Sequence, residues 1–208
     1  ICNANANALG LSNTSNAHSQ WKFVHPSTLD KKAPFTVSDN DKTVYYNINS
    51  VGSPGYYIVP PSGNNTNATT SNSTDDNVIK TGAWYFEMAQ EANETDWCSY
   101  YHIRNAETGK YLYFTKEDNN AGACLIMKET IESGNEDRYM FTWAKTAATE
   151  ANYYIIPKLL KDKSLNKFSA LQRDNGTLKT NLTRGAGNYA WTFVSAPFCL
   201  DPVITQAV

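Results

Sequence analysis

A pattern of aromatic residues comes round three times in this chain and restricts what it can fold into. A double tyrosine opens each unit, at Tyr45-Tyr46, Tyr100-Tyr101 and Tyr153-Tyr154. An aromatic-x-Phe closes each, at Trp84 to Phe86, Tyr139 to Phe141 and Trp191 to Phe193. The openers lie 55 and 53 residues apart and the closers 55 and 52. Two landmarks that drift together mark one structural unit used repeatedly.

Between these landmarks, short aromatic and β-branched runs bounded by Gly, Asn, Asp or Pro predict strands. They cover Thr43 to Ile48, Tyr56 to Val59, Ala83 to Met88, Tyr100 to Arg104, Lys110 to Thr115, Tyr139 to Trp143, Asn152 to Pro157 and Ala190 to Ser195. A third strand is expected before each closer, near Val78-Ile79, Ala123 to Met127 and Thr177 to Lys179, and Asn166 to Phe168 starts the second strand of the last unit. Four strands per unit make an all-β chain, arranged as a sandwich or a closed barrel. Helix signals are scarce, the best being Leu125 to Ser133. The stretch Gly63 to Asn77 is Asn, Thr and Ser with almost nothing apolar, so a mobile loop is expected there.

These residues resemble the ricin-type β-trefoil. That family has three four-stranded units reading approximately Tyr-Tyr-x-Ile, Ser/Thr-Gly-Lys-x-Leu, a strand, and Gln-x-Trp-x-Phe. The second unit matches best, with Tyr101-His-Ile103, Thr108-Gly109-Lys110-Tyr-Leu112 and its closer. The resemblance spans Tyr45 to Phe193 and implies a β-trefoil core over 45–195, with repeats at about 45–88, 98–143 and 152–195. Residues 1–44 then form an N-terminal partial repeat and connection, because Trp21-Lys-Phe23 is a fourth closer without an opener, and 196–208 form a tail. The family's Gln two residues before the closer is replaced by Ser19, Gly82, Asp137 and Tyr189. No unit carries the Asp, aromatic platform and amide of sugar-binding members together, so the resemblance bears on fold more than on ligand.

Net charge of -2 gives no basis for nucleic-acid binding or for docking on an acidic membrane surface. No apolar run reaches the roughly 18 residues that span a bilayer. The first residue is Ile1, which suggests a processed or excised piece. The Asn-, Thr-, Ser- and Tyr-rich composition suits a secreted, periplasmic or cell-surface protein and is common in secreted bacterial proteins; the resemblance implies a Bacteroides-like source. On that reading the seven sequons, at Asn13, Asn64, Asn67, Asn72, Asn93, Asn175 and Asn181, arise by chance; in a eukaryotic secretory protein they would accept glycans. Cys2, Cys98, Cys124 and Cys199 have no zinc spacing. They form either two disulfides, with Cys98–Cys124 and Cys2–Cys199 the pairs suggested by position, or buried inert thiols.

Nothing catalytic stands out, and no cofactor or metal is implied. His18, His25 and His102 fall in no metalloprotease motif, and neither a nucleophile elbow nor a P-loop is present. Asp75-Asp76 and Glu117-Asp118 read as solvated carboxylates, and Trp97 is out of phase with the repeat. A sugar needs an aromatic face and neighbouring carboxylate or amide groups. Tyr113 with Asp118, Asn119 and Asn120 offers these in the second unit, and Gln172, Asp174 and Asn175 beside Tyr189 in the third. The expected function is a non-catalytic, lectin-like module whose partner is a glycan or a host or bacterial surface polysaccharide. The alternative is a protein-binding or structural trefoil, an adhesion spacer or protease inhibitor.

Overall fold

The computed structural model describes residues 33–38, 43–62, 66–93, 96, 98–116, 122–146, 151–160, 170–180 and 189–196, with the backbone alone at 2–5, 8–10 and 181. The expected closer Trp21 to Phe23, the Asn166 to Phe168 strand and the 197–208 tail lie outside the described residues.

Strands β1 (Cys2–Asn5) and β2 (Ala8–Gly10) pair, among the described residues, only with each other. The three units follow. The first holds β3 (Tyr46–Ser50), β4 (Tyr57–Val59), β5 (Thr69–Ser71), the short helix α1 (Asp76–Thr81) and β6 (Ala83–Gln90). The second holds β7 (Tyr100–Asn105), β8 (Tyr111–Phe114), β9 (Leu125–Lys128) and β10 (Phe141–Lys145). The third holds β11 (Tyr153–Pro157), β12 (Ala170–Asp174), β13 (Thr177–Asn181) and β14 (Trp191–Ser195).

First and fourth strands close a ring. β3 pairs β6, β6 pairs β7, β7 pairs β10, β10 pairs β11, β11 pairs β14 and β14 returns to β3, all antiparallel. In each unit an opening tyrosine faces its own closer: Tyr46 opposite Trp84, Tyr101 opposite Phe141 and Tyr153 opposite Trp191. Closure leaves the six strands with no free edge. Second and third strands form three hairpins over one end, β4–β5, β8–β9 and β12–β13. The hairpins are stitched together where Ala68 N–H donates to Leu125 C=O at 2.9 Å, Cys124 N–H to Leu178 C=O at 3.1 Å and Thr70 N–H to Gly176 C=O at 3.2 Å. A six-stranded barrel capped by a triplet of hairpins is a β-trefoil.

Alternation produces the core. In β7 Tyr101, Ile103 and Asn105 point inward and are buried, while His102 and Arg104 are half-buried on the other face. In β8 Leu112 and Phe114 point in, and Tyr111 and Tyr113 point out. Period-two patterning of this kind leaves a barrel one apolar face. The closers Trp84, Phe86, Phe141 and Trp191 are buried, and Phe193 packs against them. The indole of Trp84 donates to the Ile58 carbonyl at 3.0 Å, and that of Trp191 to Leu171 at 2.9 Å. Each of these two tryptophans therefore ties its fourth strand to its second strand. Tyr139, fully buried, occupies this place in the second unit, and its hydroxyl accepts instead from Glu132 N–H at 3.3 Å.

The end of the barrel core is filled from an unexpected quarter. Phe35 stacks on Phe86 with centroids 3.7 Å apart and meets Tyr101, Trp143 and Phe193 edge-on at 5.4, 4.4 and 5.2 Å. The segment is held by Ser38 N–H donating to Phe86 C=O at 2.7 Å and Thr36 N–H to Tyr46 Oη at 2.8 Å.

Several expectations need correction. Leu125 to Ser133 does not form a helix: Leu125–Lys128 is strand β9, locked in register with β8. Val78-Ile79 is not a strand but part of α1, and the third strand of that unit is Thr69–Ser71. The described part of the Gly63 to Asn77 stretch is ordered. Its threonines pair with both β4 and β13, so neighbouring backbone supplies the order that apolar burial does not. Asp75 is not simply solvated, because its carboxylate caps α1 by accepting from Asn77 N–H at 2.8 Å. Cys98 and Cys124 carry thiols rather than sharing a disulfide; Cys124 is buried and its thiol donates to Leu178 C=O at 3.2 Å.

Candidate functional site

The outer face of the second unit gathers aromatic rings and cations. Strand β8 turns Tyr111 and Tyr113 outward, and pairing with β9 sets Lys128 opposite Tyr111 and Ile126 opposite Tyr113. The buried ring of Tyr139 supports both tyrosines edge-to-face, 4.9 Å from Tyr113 and 6.0 Å from Tyr111. Lys128 Nζ lies 5.4 Å from the Tyr113 ring centroid and Arg138 Cζ 5.9 Å. Arg138 is fixed by donating to the carbonyls of Phe114 at 3.3 Å and Lys116 at 3.4 Å. Lys128 forms an ion pair with Glu132 at 2.8 Å, and that hydrogen bond and charge raise its pKa.

Beside this face the guanidinium of Arg104 lies 4.4 Å from the ring of Tyr111 and 5.4 Å from Tyr85. It donates to Glu87 at 2.8 Å and to Gly109 C=O at 2.8 Å. Burial pulls the Arg104 pKa down, but the Glu87 hydrogen bond and charge outweigh it, and the net shift is upward. His102, edge-on to Tyr111 at 5.5 Å, has its pKa lowered by burial.

Of the second-unit candidates, Tyr113 is placed on this platform, half-buried and outward. Asp118, Asn119 and Asn120 lie outside the described residues, as do Glu117 and Trp97. Lys128, Arg138 and Arg104 were not singled out from sequence. Their signal was the alternation of β8, which puts Tyr111 and Tyr113 on one face, but finding their neighbours required the β8–β9 register.

In the third unit, Gln172, Asp174 and Asn175 share the β12–β13 hairpin. Asn175 and Gly176 form its two-residue turn with φ of 48° and 86°, the left-handed pair that such tight hairpins require. Asp174 forms an ion pair with Lys179. Gln172 faces Lys179 across the ladder, and its Oε1 is buried without a hydrogen bond. Tyr189 is only 4% exposed and so offers no ring face; burial raises its pKa. The outer edge of the hairpin is occupied by the first unit, since Gly176 C=O accepts from Thr69 Oγ1 at 2.6 Å. Arg173 reaches across to Thr70 at 3.1 Å and Ser53 at 3.0 Å and lies 3.7 Å from the Tyr56 ring.

Among the described residues, no group of three or more His, Cys, Asp and Glu is arranged to hold a metal. Among the same residues, no helix is long and apolar enough to cross a membrane.

No family model and no curated protein matches this chain. Solved structures do resemble it. The designed threefold-symmetric protein ThreeFoil is 17% identical with a TM-score of 0.51, over 73% of this chain and 98% of that one. The Polyporus squamosus lectin bound to a human-type influenza-binding epitope is 16% identical with a TM-score of 0.55, over 74% of this chain and 49% of that one. The Clostridium perfringens endo-β-galactosidase that releases GlcNAcα1-4Gal is 14% identical with a TM-score of 0.52, over 74% of this chain and 32% of that one. The chain thus spans about half of the lectin and a third of the enzyme. These neighbours share no source, so the expected Bacteroides-like origin gains no support from them. At such identities the likeness is one of architecture, and it agrees with the strand ring and hairpin cap: this chain is a β-trefoil.

Proposed function

We propose that the chain is a non-catalytic, lectin-like carbohydrate-binding module of a secreted or cell-surface protein, with its main site on the second unit. One observation carries this reading: the outward ring of Tyr113, braced by Tyr139, has Lys128 and Arg138 within 6 Å. An aromatic face packs against the apolar side of a sugar ring, and N–H donors around it reach hydroxyl groups. Asp118, Asn119 and Asn120 follow β8 in sequence and would complete the polar contacts. The third-unit group of Gln172, Asp174 and Asn175 is the second locus. A shallow single site binds weakly, near millimolar or about -4 kcal/mol. Useful affinity then comes from several sites or from tethering to a larger protein.

A second reading, a protein-binding or structural trefoil, is favoured by the third unit. There Asp174 is engaged by Lys179 and Asn175 by the turn.

A glycan array followed by titration calorimetry of the hits tests the proposal. Tyr113→Ala and the Asp118→Ala/Asn119→Ala pair should each weaken binding at least fivefold while the thermal melt stays cooperative. Should no glycan bind at millimolar concentration, the lectin reading is dropped in favour of the protein-binding one. If glycans bind but neither variant matters, the site moves to the third unit.

A further inference from the structure

A groove of about 490 Å³ separates the first and second units, within the range of about 300–1,000 Å³ common for ligand sites. One wall is Pro60 and Pro61, which follow β4; the other is Ile126 and Met127 of β9. The walls are fixed relative to each other. Ala68 N–H donates to Leu125 C=O at 2.9 Å, and Asn67 bridges Ile126 directly. The groove is therefore formed before any ligand arrives, which lowers the ordering cost of binding.

Its charge is one-sided. Among the described residues, Lys110 and Lys128 line it, and no Asp or Glu does. Each ammonium now meets a carboxylate that is not among the lining residues, Lys110 with Glu129 at 2.6 Å and Lys128 with Glu132 at 2.8 Å. Glu129 is 70% exposed, and exposed pairs of this kind contribute little. Either lysine can therefore exchange its partner for a ligand anion at little cost. Lys128 also stands 5.4 Å from the Tyr113 ring centroid, so this one residue belongs to both the groove and the tyrosine platform.

From this we infer that the groove binds the acidic residue of an anionic saccharide, one carrying carboxylate or sulfate, whose neighbouring ring lies on Tyr113. The prolines and Ile126–Met127 take the apolar edge of the sugar, and Lys110 and Lys128 take the anion. The inference rests on the lectin-like reading and specifies its ligand class.

The test is titration calorimetry at low salt with trigalacturonate, a sulfated galactan trisaccharide and neutral galactotriose as probes. The wild-type chain should bind at least one acidic probe about tenfold more tightly than the neutral one, and the comparison between the two acidic probes identifies the anion. Lys110→Gln should remove most of that preference, and Thr66→Trp should block the acidic probe by filling the groove. Lys145→Gln, an exposed lysine on β10, should leave both affinities as they were. Equal binding of acidic and neutral probes overturns the groove assignment while leaving the lectin reading intact. An equal loss with Lys145→Gln also overturns it, by showing non-specific attraction. Failure of all three probes sinks the groove and counts against the lectin reading as well.

Discussion

The ring of Phe35 lies nearly parallel on that of Phe86, with centroids 3.7 Å apart and planes inclined by 12°. The first residue precedes the repeats and the second closes the first of them. A segment outside the threefold pattern is thus built into the barrel core.

Truncating that plug should be costly. Phe35→Ala removes a 7%-exposed ring that touches five other aromatic residues. A loss of about 3–5 kcal/mol is expected, the range for large-to-small changes in a packed core. Urea unfolding should show a lower midpoint with an unchanged slope. A loss under about 1 kcal/mol would mean that the segment is an accessory rather than part of the core.

The two indole hydrogen bonds should behave alike. Trp84→Phe leaves the Ile58 carbonyl without its indole donor, and Trp191→Phe does the same to Leu171. Each should cost about 1–3 kcal/mol beyond the lost volume. Tyr139→Phe should cost less, because its hydroxyl accepts a longer bond, at 3.3 Å, from the partly exposed Glu132. Comparing the three by denaturant melts tests whether the closers are energetically equivalent.

Burial lowers the pKa of His102, and its Nε2 has no hydrogen bond. The unfolded imidazole, near the ordinary 6.5, therefore takes up its proton before the folded one does. Below about pH 6.5 the unfolded state binds more protons, so stability should fall as pH drops, until the folded imidazole also protonates. His102→Gln should flatten that part of the stability profile between pH 7.5 and 5. An unchanged slope would assign it to other groups.

The Cys124 thiol is pushed up to about 12 by burial, with Lys116 opposing weakly, and it is fully buried. Thiolate is the reactive form. Iodoacetamide at pH 8 should therefore label Cys124 only as fast as the chain opens, and the rate should rise with urea. Rapid labelling in native buffer, read by peptide mass, would contradict the buried thiol.

The openers and closers were legible because strong aromatic and β-branched residues recur in phase, and the ring pairs them as the repeat implies. Thr69–Ser71 was not legible. Its order comes from β4 and β13, which are distant in sequence, and its own residues are polar. Val78 and Ile79 are too few to distinguish a strand from a helical turn, and the Asp75 cap decides for the helix. Phe35 sits alone after Pro34, with no periodicity to mark it. At the candidate site, Tyr113 could be found because it lies within an aromatic strand. Lys128 and Arg138 come from later segments and meet it only through register and the Arg138 carbonyl contacts. Asn175-Gly176 could be read as a turn, and the structure uses it as one.

The ladder that joins β14 to β3 carries a mechanical consequence. Ser195, at the end of β14, faces Tyr46, at the start of β3, and Ala196 N–H donates to Tyr45 C=O at 2.8 Å. Tension applied at positions 45 and 196 would reach this junction first and at its outermost rung. The load would not be shared across all five residue pairs, from Ser195–Tyr46 to Trp191–Ser50, but would break them one after another like a zipper. The trefoil body should therefore yield to pulling at low force from that seam, while loads applied across the hairpin cap would be spread over several strands at once.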